Sequence, residues 1–214
     1  MSNHKKGCQR DRDILALVES YGALNTDQIK LLLFPNVSER VCRRRLKALY
    51  DKKFIRRERF SISEPFYYYL GKRPGQIDHL LAVNWAYTWF RLRLADWEKI
   101  HSFEREIDYK ILRTDGLVAI WNTVQKTFGF WFIELDRAES GNRFDKVSKY
   151  TSYYLSEAYL GTWWAKLAQR FPGILVVTTG SKQRIEDKIT QENTSNLRFK
   201  VFTLEEIKEA CLNG

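Results

Sequence analysis

Cysteine is sparse in this chain: Cys8, Cys42 and Cys211 are the only three, spread over 214 residues. An odd, widely spaced set builds no disulfide framework and no paired metal ligands, and it suits a reducing cytoplasm. Histidine is as scarce. His4, His79 and His101 are isolated from one another and from the cysteines, which argues against a zinc site. His79 reads as a structural or capping residue. There is no uninterrupted run of eighteen apolar residues, so neither a membrane span nor a membrane partner is expected. The opening Met-Ser-Asn-His-Lys-Lys-Gly-Cys-Gln-Arg has no apolar segment behind its basic residues and does not read as a signal peptide. Internal repeats and low-complexity segments are missing too. Acidic charge is in deficit, with 26 Asp and Glu against 36 Lys and Arg, a net charge of +10.

What is present is enough for one large or two small globular domains. The chain is 44% apolar and 14% aromatic, which supports a core. The positive excess is unevenly spread. Residues 1–75 hold 17 Lys and Arg against 8 Asp and Glu, so +9 of the +10 lies in the first third. That asymmetry points to an anionic partner for the N-terminal part.

Beneath the charge lies a recognisable order of elements. Residues 1–10 read as a frayed polar tail. Ile14, Leu15, Leu17, Val18 and Tyr21 recur at helical spacing, and Gly22 ends the run. Asn25 and Gln28 are placed for a capping box on a second helix that stops before Pro35. A third helix, about 38–52 with Ser38 as cap, buries Val41, Cys42, Leu46 and Leu49. It carries Arg40, Arg43, Arg44 and Lys47 on another face. Two extended segments, 54–60 and 65–70, form a hairpin that presents Arg56, Arg57 and Arg59. Three helices with such a hairpin make a winged helix-turn-helix. Its third helix would enter the DNA major groove and its wing would contact phosphate or the adjacent minor groove. The domain is assigned to residues 1–75, and a connecting helix to 76–100.

Residues 101–214 read as strands at 102–110, 115–124 and 127–135, a long helix over 142–170, and a strand at 173–179. A helix at 182–192, a strand at 197–202 and a short helix at 204–212 capped by Thr203 complete the chain. A meander followed by a strand–helix–strand crossover implies a mixed sheet with helices on both faces, and an α+β protein overall. Tyr159, Trp163 and Trp164 read as core or dimer-interface residues.

Asp115 starts one apolar run, and Glu134 and Asp136 end the next. Antiparallel pairing of the two would gather three carboxylates, and such a cluster needs a cation, a proton or a metal. The order of elements resembles the restriction-endonuclease-like, or PD-(D/E)XK, nuclease core. That resemblance implies Asp115 and Glu134 as Mg²⁺ ligands with Asp136 beside them. Asp136 stands where that core has lysine, a departure that leaves Arg137, Lys146 or Lys149 to supply the positive charge. Glu104 or Glu106 would be an additional acid.

The chain also resembles the replication-relaxation family of plasmid and mobile-element proteins. The likeness rests on the winged helix-turn-helix, Asp-His-Leu-Leu-Ala-Val-Asn at 78–84, Thr-Asp-Gly at 114–116, Glu-Leu-Asp-Arg-Ala-Glu at 134–139 and Lys-Val-Ser-Lys-Tyr at 146–150. It implies a DNA-binding protein acting in plasmid replication, origin relaxation or transcriptional control, on a retired nuclease scaffold. Reading two half-sites would call for a homodimer. Two rival readings stay open. One is a Mg²⁺-dependent nuclease or nickase using Asp115, Glu134 and Asp136 with Lys146 or Lys149. The other is an adaptor that contacts replication proteins. Asp115 before Gly116 also suits a turn, and the acids suit a structural ion network.

Overall fold

The computed structural model describes residues 3–138 and 144–213, with side chains from Gln9 onward. The architecture is α+β, and the chain divides into two compact units, 1–88 and 89–214. The division falls inside a helix, later than the boundary at residue 75 expected from Gly71, Pro74 and Gly75.

The first unit opens with α1 (Asn3–Tyr21), β1 (Ala23–Asn25), α2 (Thr26–Leu33) and α3 (Glu39–Asp51). Strands β2 (Arg56–Glu58) and β3 (Tyr67–Tyr69) and the helix α4 (Ile77–Leu92) follow. Helix α1 begins at Asn3 rather than at residue 11. Lysine, glutamine and arginine are good helix formers, but they carry no apolar periodicity for a sequence reading to detect. Gly22, at φ 72°, ends the helix in the left-handed region. The capping box on α2 is present in both directions: Gln28 N–H donates to Asn25 Oδ1 at 2.8 Å and Asn25 N–H to Gln28 Oε1 at 2.9 Å. Ser38 precedes α3 but makes no side-chain cap. The three short strands form an antiparallel sheet in the order β1-β3-β2, so β3 lies centrally with Tyr67, Tyr68 and Tyr69 all buried. The hairpin strands are shorter than the expected 54–60 and 65–70, and β1 pairs with β3 far along the chain, at Asn25↔Tyr67, Leu24↔Tyr68 and Ala23↔Tyr69, where local alternation gives no signal.

Asn84 belongs to this unit and is fully buried. Its side-chain amide donates to Ala23 O at 2.7 Å and Tyr21 O at 3.0 Å. Gln28 Nε2 likewise donates to Leu81 O at 2.9 Å. Helix α4 is thereby locked onto the turn between α1 and β1. It ends at Leu92, short of the expected residue 100. A turn closed by Glu98 N–H to Ala95 O, and by Ala95 N–H to the Glu98 carboxylate, redirects the chain into the next strand.

The second unit is a five-stranded mixed sheet in the order β4-β5-β6-β7-β8: β4 (Glu98–Asp108), β5 (Arg113–Asn122), β6 (Thr127–Asp136), β7 (Gly173–Thr178) and β8 (Phe199–Thr203). The first three strands run antiparallel; β7 and β8 join in parallel. Helices α5 (Lys146–Leu155), α6 (Lys182–Glu192) and α7 (Leu204–Leu212) complete it, with α7 capped by a Thr203–Glu206 box. Helix α5 is far shorter than the expected 142–170. Residues 142–143, and Glu139 of the 134–139 stretch, lie outside the described residues. The helix stops at Leu155, where Glu157 turns left-handed at φ 55°. A short 3-10 turn, Ala158–Gly161, then folds Tyr159, Trp164 and Phe171 back over Phe132 and Tyr153. Aromatic burial, rather than helix continuation, shapes that stretch. Trp164 is core at 1% exposure, whereas Trp163 is 40% exposed. Among the described residues no helix is long and apolar enough to cross a membrane.

Candidate nucleic-acid interface and carboxylate cluster

Helix α3 buries Cys42, Leu46 and Leu49 at i, i+4 and i+7, which leaves Arg40, Arg43, Arg44 and Lys47 exposed on the other side. Strand alternation in β2 turns Arg57 toward α3 and Arg56 and Glu58 away from it. A groove of about 810 Å³ results, lined by the four α3 cations together with Arg57 and Arg59. Six of the seven expected DNA-binding residues therefore converge. Arg56 does not line this groove. It shares its side of the strand with Glu58, whose carboxylate accepts from Tyr69 Oη at 2.5 Å, Tyr67 Oη at 2.8 Å and Arg73 Nε at 3.0 Å. Those donors hold the Glu58 carboxyl below the usual range, so it stays negative.

The cations in the groove differ in freedom. The Arg57 guanidinium lies between the rings of Tyr50, at 4.2 Å, and Phe66, at 4.5 Å, which fixes its direction. Arg59 sits over Phe66 at 4.9 Å and donates to Ile62 O at 3.3 Å across the loop joining β2 to β3. Arg43 pairs with Glu39 at 2.5 Å and Lys47 with Asp51 at 2.6 Å. All four side chains are at least half exposed, so these pairs are weak and a phosphate can displace them. Arg45, between them in sequence, instead pairs with Asp11 and ties α3 to α1. Sequence reasoning missed the three acids in the groove, Asp27, Glu39 and Glu64. Burial, with Glu39 nearby, raises the Asp27 carboxyl.

The carboxylates of the second unit follow from strand alternation. Phe130 and Phe132 face the cluster that includes Val147, Tyr150 and Tyr153 of α5, so Glu134 and Asp136, the next two on that side, are carried inward with them. Glu134 is 1% exposed and Asp136 6%. Asp115 lies in β5, not in a turn. Pairing of β5 with β6 stops at Gly116↔Ile133, and beyond it the Asp115 side chain takes over: Oδ2 accepts from Leu135 N–H at 2.7 Å. Gly116 lets the strands approach closely there: a Cβ would meet the Phe103 ring at 3.1 Å and Glu104 O at 3.4 Å, so the ring would have to give way.

Glu134 Oε1 accepts from Tyr150 Oη at 2.6 Å, and Oε2 is ion-paired with Lys146 Nζ at 2.7 Å. Lys146 also donates to Arg113 O, and the Tyr150 hydroxyl lies 3.2 Å from Thr114 Oγ1. Burial first, and the Asp115 charge second, push the Glu134 carboxyl up to about 7, against the opposing pull of Lys146. Asp136 is held separately, accepting from Arg184 Nη2 at 2.7 Å and Thr178 Oγ1 at 2.8 Å. Arg184 was not foreseen; it lies 48 positions away, on a helix that reads as polar surface. Lys149 does not join the cluster but pairs with Asp145 at 2.6 Å on the surface. Glu106 pairs with Arg113 at 3.0 Å, both well exposed.

A Mg²⁺ ion requires several hard oxygen ligands at about 2.1 Å with little competing charge. Here Glu134 and Asp136 are each discharged by a cation of the chain itself. Among the described residues, no group of three or more His, Cys, Asp or Glu is placed to hold a metal ion. With Lys146 on Glu134 and Arg184 on Asp136, the expected Asp115, Glu134 and Asp136 metal set does not fit.

Compared with protein-family models, curated proteins and solved structures, the chain has no match.

Proposed function

We propose that this chain is a double-stranded DNA-binding protein whose first unit is a winged helix-turn-helix. The observation that carries this reading is the basic groove, in which four cations of α3 and two from the wing face one space. The element order α1-β1-α2-α3-β2-β3 and the β1-β3-β2 sheet support it. An α-helix fits the major groove, and α3, with 13 residues, is about 20 Å long, enough to track several base pairs. Exposed arginines supply phosphate affinity, and arginine is also the commonest bidentate reader of guanine. The five-stranded unit is read as a restriction-endonuclease-like scaffold that does not cleave. The wider role in replication or transcriptional control of a mobile element rests on the motif resemblance alone.

The test is binding of duplex DNA as a function of salt. Each phosphate neutralised contributes a slope of about −0.9 in log K against log salt. Replacing Arg40 and Arg44 by Gln should weaken binding at least about tenfold and make the slope shallower by about 1.8. Arg56→Gln, on the other side of the strand, should leave both nearly unchanged. An unaltered slope in the double variant would remove the groove as the DNA surface and favour a protein-binding role.

A further inference from the structure

We propose that the Lys146 ammonium occupies the position a divalent cation would otherwise take in the carboxylate cluster, so that the second unit holds its acids together without a metal. The geometry points to this in three ways. Nζ of Lys146 lies 2.7 Å from Glu134 Oε2 and also donates to the carbonyl of Arg113, at the start of the strand that carries Asp115. One ammonium therefore bridges β5 and β6 at the point where their backbone pairing ends at Gly116↔Ile133. The second Glu134 oxygen is already taken by Tyr150 Oη at 2.6 Å, from the same helix one turn on. The third acid, Asp136, is directed to a different cation, Arg184, at 2.7 Å.

A Mg²⁺ or Mn²⁺ ion bound to Glu134 Oε2 at about 2.1 Å would stand within about 5 Å of the Lys146 ammonium. Glu134 is 1% exposed and the lysine side chain 24%, so water screens that repulsion poorly. The ammonium and the metal therefore exclude each other. The lysine is tethered, because Val147 and Tyr150 of its helix are fully buried. The metal must compete against a cation held at very high effective concentration.

Mn²⁺ binding by electron paramagnetic resonance on the full chain, with circular dichroism as the check on folding, tests this. The wild type should retain no Mn²⁺ at about 1 mM, a level at which weak protein sites begin to fill. Mg²⁺ and chelator should leave its melting temperature unchanged. Lys146→Met should bind Mn²⁺ at least about tenfold more tightly than the wild type and melt higher with added Mn²⁺. A Glu134→Gln substitution made in the same chain should abolish that gain. Lys146→Arg, which keeps the charge, should behave as the wild type. The proposal is overturned if the wild type binds Mn²⁺ below 1 mM in a manner lost in Glu134→Gln. It is equally overturned if a folded Lys146→Met binds no more than the wild type. Should the Met variant not fold, Lys146→Gln, which keeps a donor for Glu134, takes its place under the same two criteria.

Discussion

Glu134 concentrates the chemistry of the second unit in one side chain. Its carboxyl keeps a proton up to about pH 7 in the folded chain but releases it near 4.5 when unfolded. Between those values the folded state binds more protons, so stability falls as pH rises through the window. Burial sets the sign, and the loss is at most about 3 kcal/mol. Glu134→Gln should remove that slope. Urea unfolding at pH 4.5, 6 and 7.5 would show wild type and variant diverging with pH, and a constant difference would mean that the carboxyl does not titrate in this window. Tyr150→Phe removes the donor to Glu134 Oε1 and should cost about 1–3 kcal/mol, since a buried acceptor is left short. Gly116→Ala should also destabilise, because its Cβ has the Phe103 ring on one side and Glu104 O on the other. Thermal denaturation reads both. The acids were legible as a set because they fall at the ends of apolar runs. Their partners were only half legible. Lys146 and Tyr150 stand one helical turn apart in a conspicuous segment, whereas Arg184 lies on a polar helix, and nothing local connects it with Asp136.

Helices with strong end signals were readable, and their limits follow from local chemistry. The Asn25–Gln28 box is one such signal. Asn25→Ala should cost about 1 kcal/mol. Gln28→Ala should cost more, because the same side chain also bonds the Leu81 carbonyl inside the first unit. Chemical denaturation of the two variants would rank them, and equal losses would mean that the Leu81 bond adds little. Helix α3 was legible because its buried stripe and its basic face are both periodic. The 156–172 stretch was not. Tyr159, Trp163, Trp164 and Phe171 are spaced compatibly with a helix, but the chain gains more by turning back to pack Tyr159, Trp164 and Phe171 against Phe132 and Tyr153. Strand β1 escaped notice for a related reason: three residues show no alternation, and their pairing with β3 is settled far along the chain.

For the molecule as a whole, the division of charge carries the functional argument. If affinity for DNA comes from residues 1–75, neutralising Lys149 and Lys188 in the second unit should leave the salt slope where it was, since both are paired with their own helix neighbours. A slope made shallower by those two substitutions would show that the second unit contributes phosphate contacts of its own. Net charge and its uneven spread are properties of composition, and no folding is needed to read them.

The amino-acid sequence alone determined the charge asymmetry, the periodic basic face of α3, the capping of α2 and α7, and the order of the strands around Asp115, Glu134 and Asp136. Each is a local pattern, set by neighbours within a turn of helix or a few residues of strand. Tertiary structure decided which cations share the groove, and it set Arg56 apart from the rest by the parity of β2. It also decided which cation meets which buried acid. The Lys146–Glu134 pair joins successive elements and the Arg184–Asp136 pair joins residues 48 positions apart, and only the burial of the carboxylates makes either pairing obligatory.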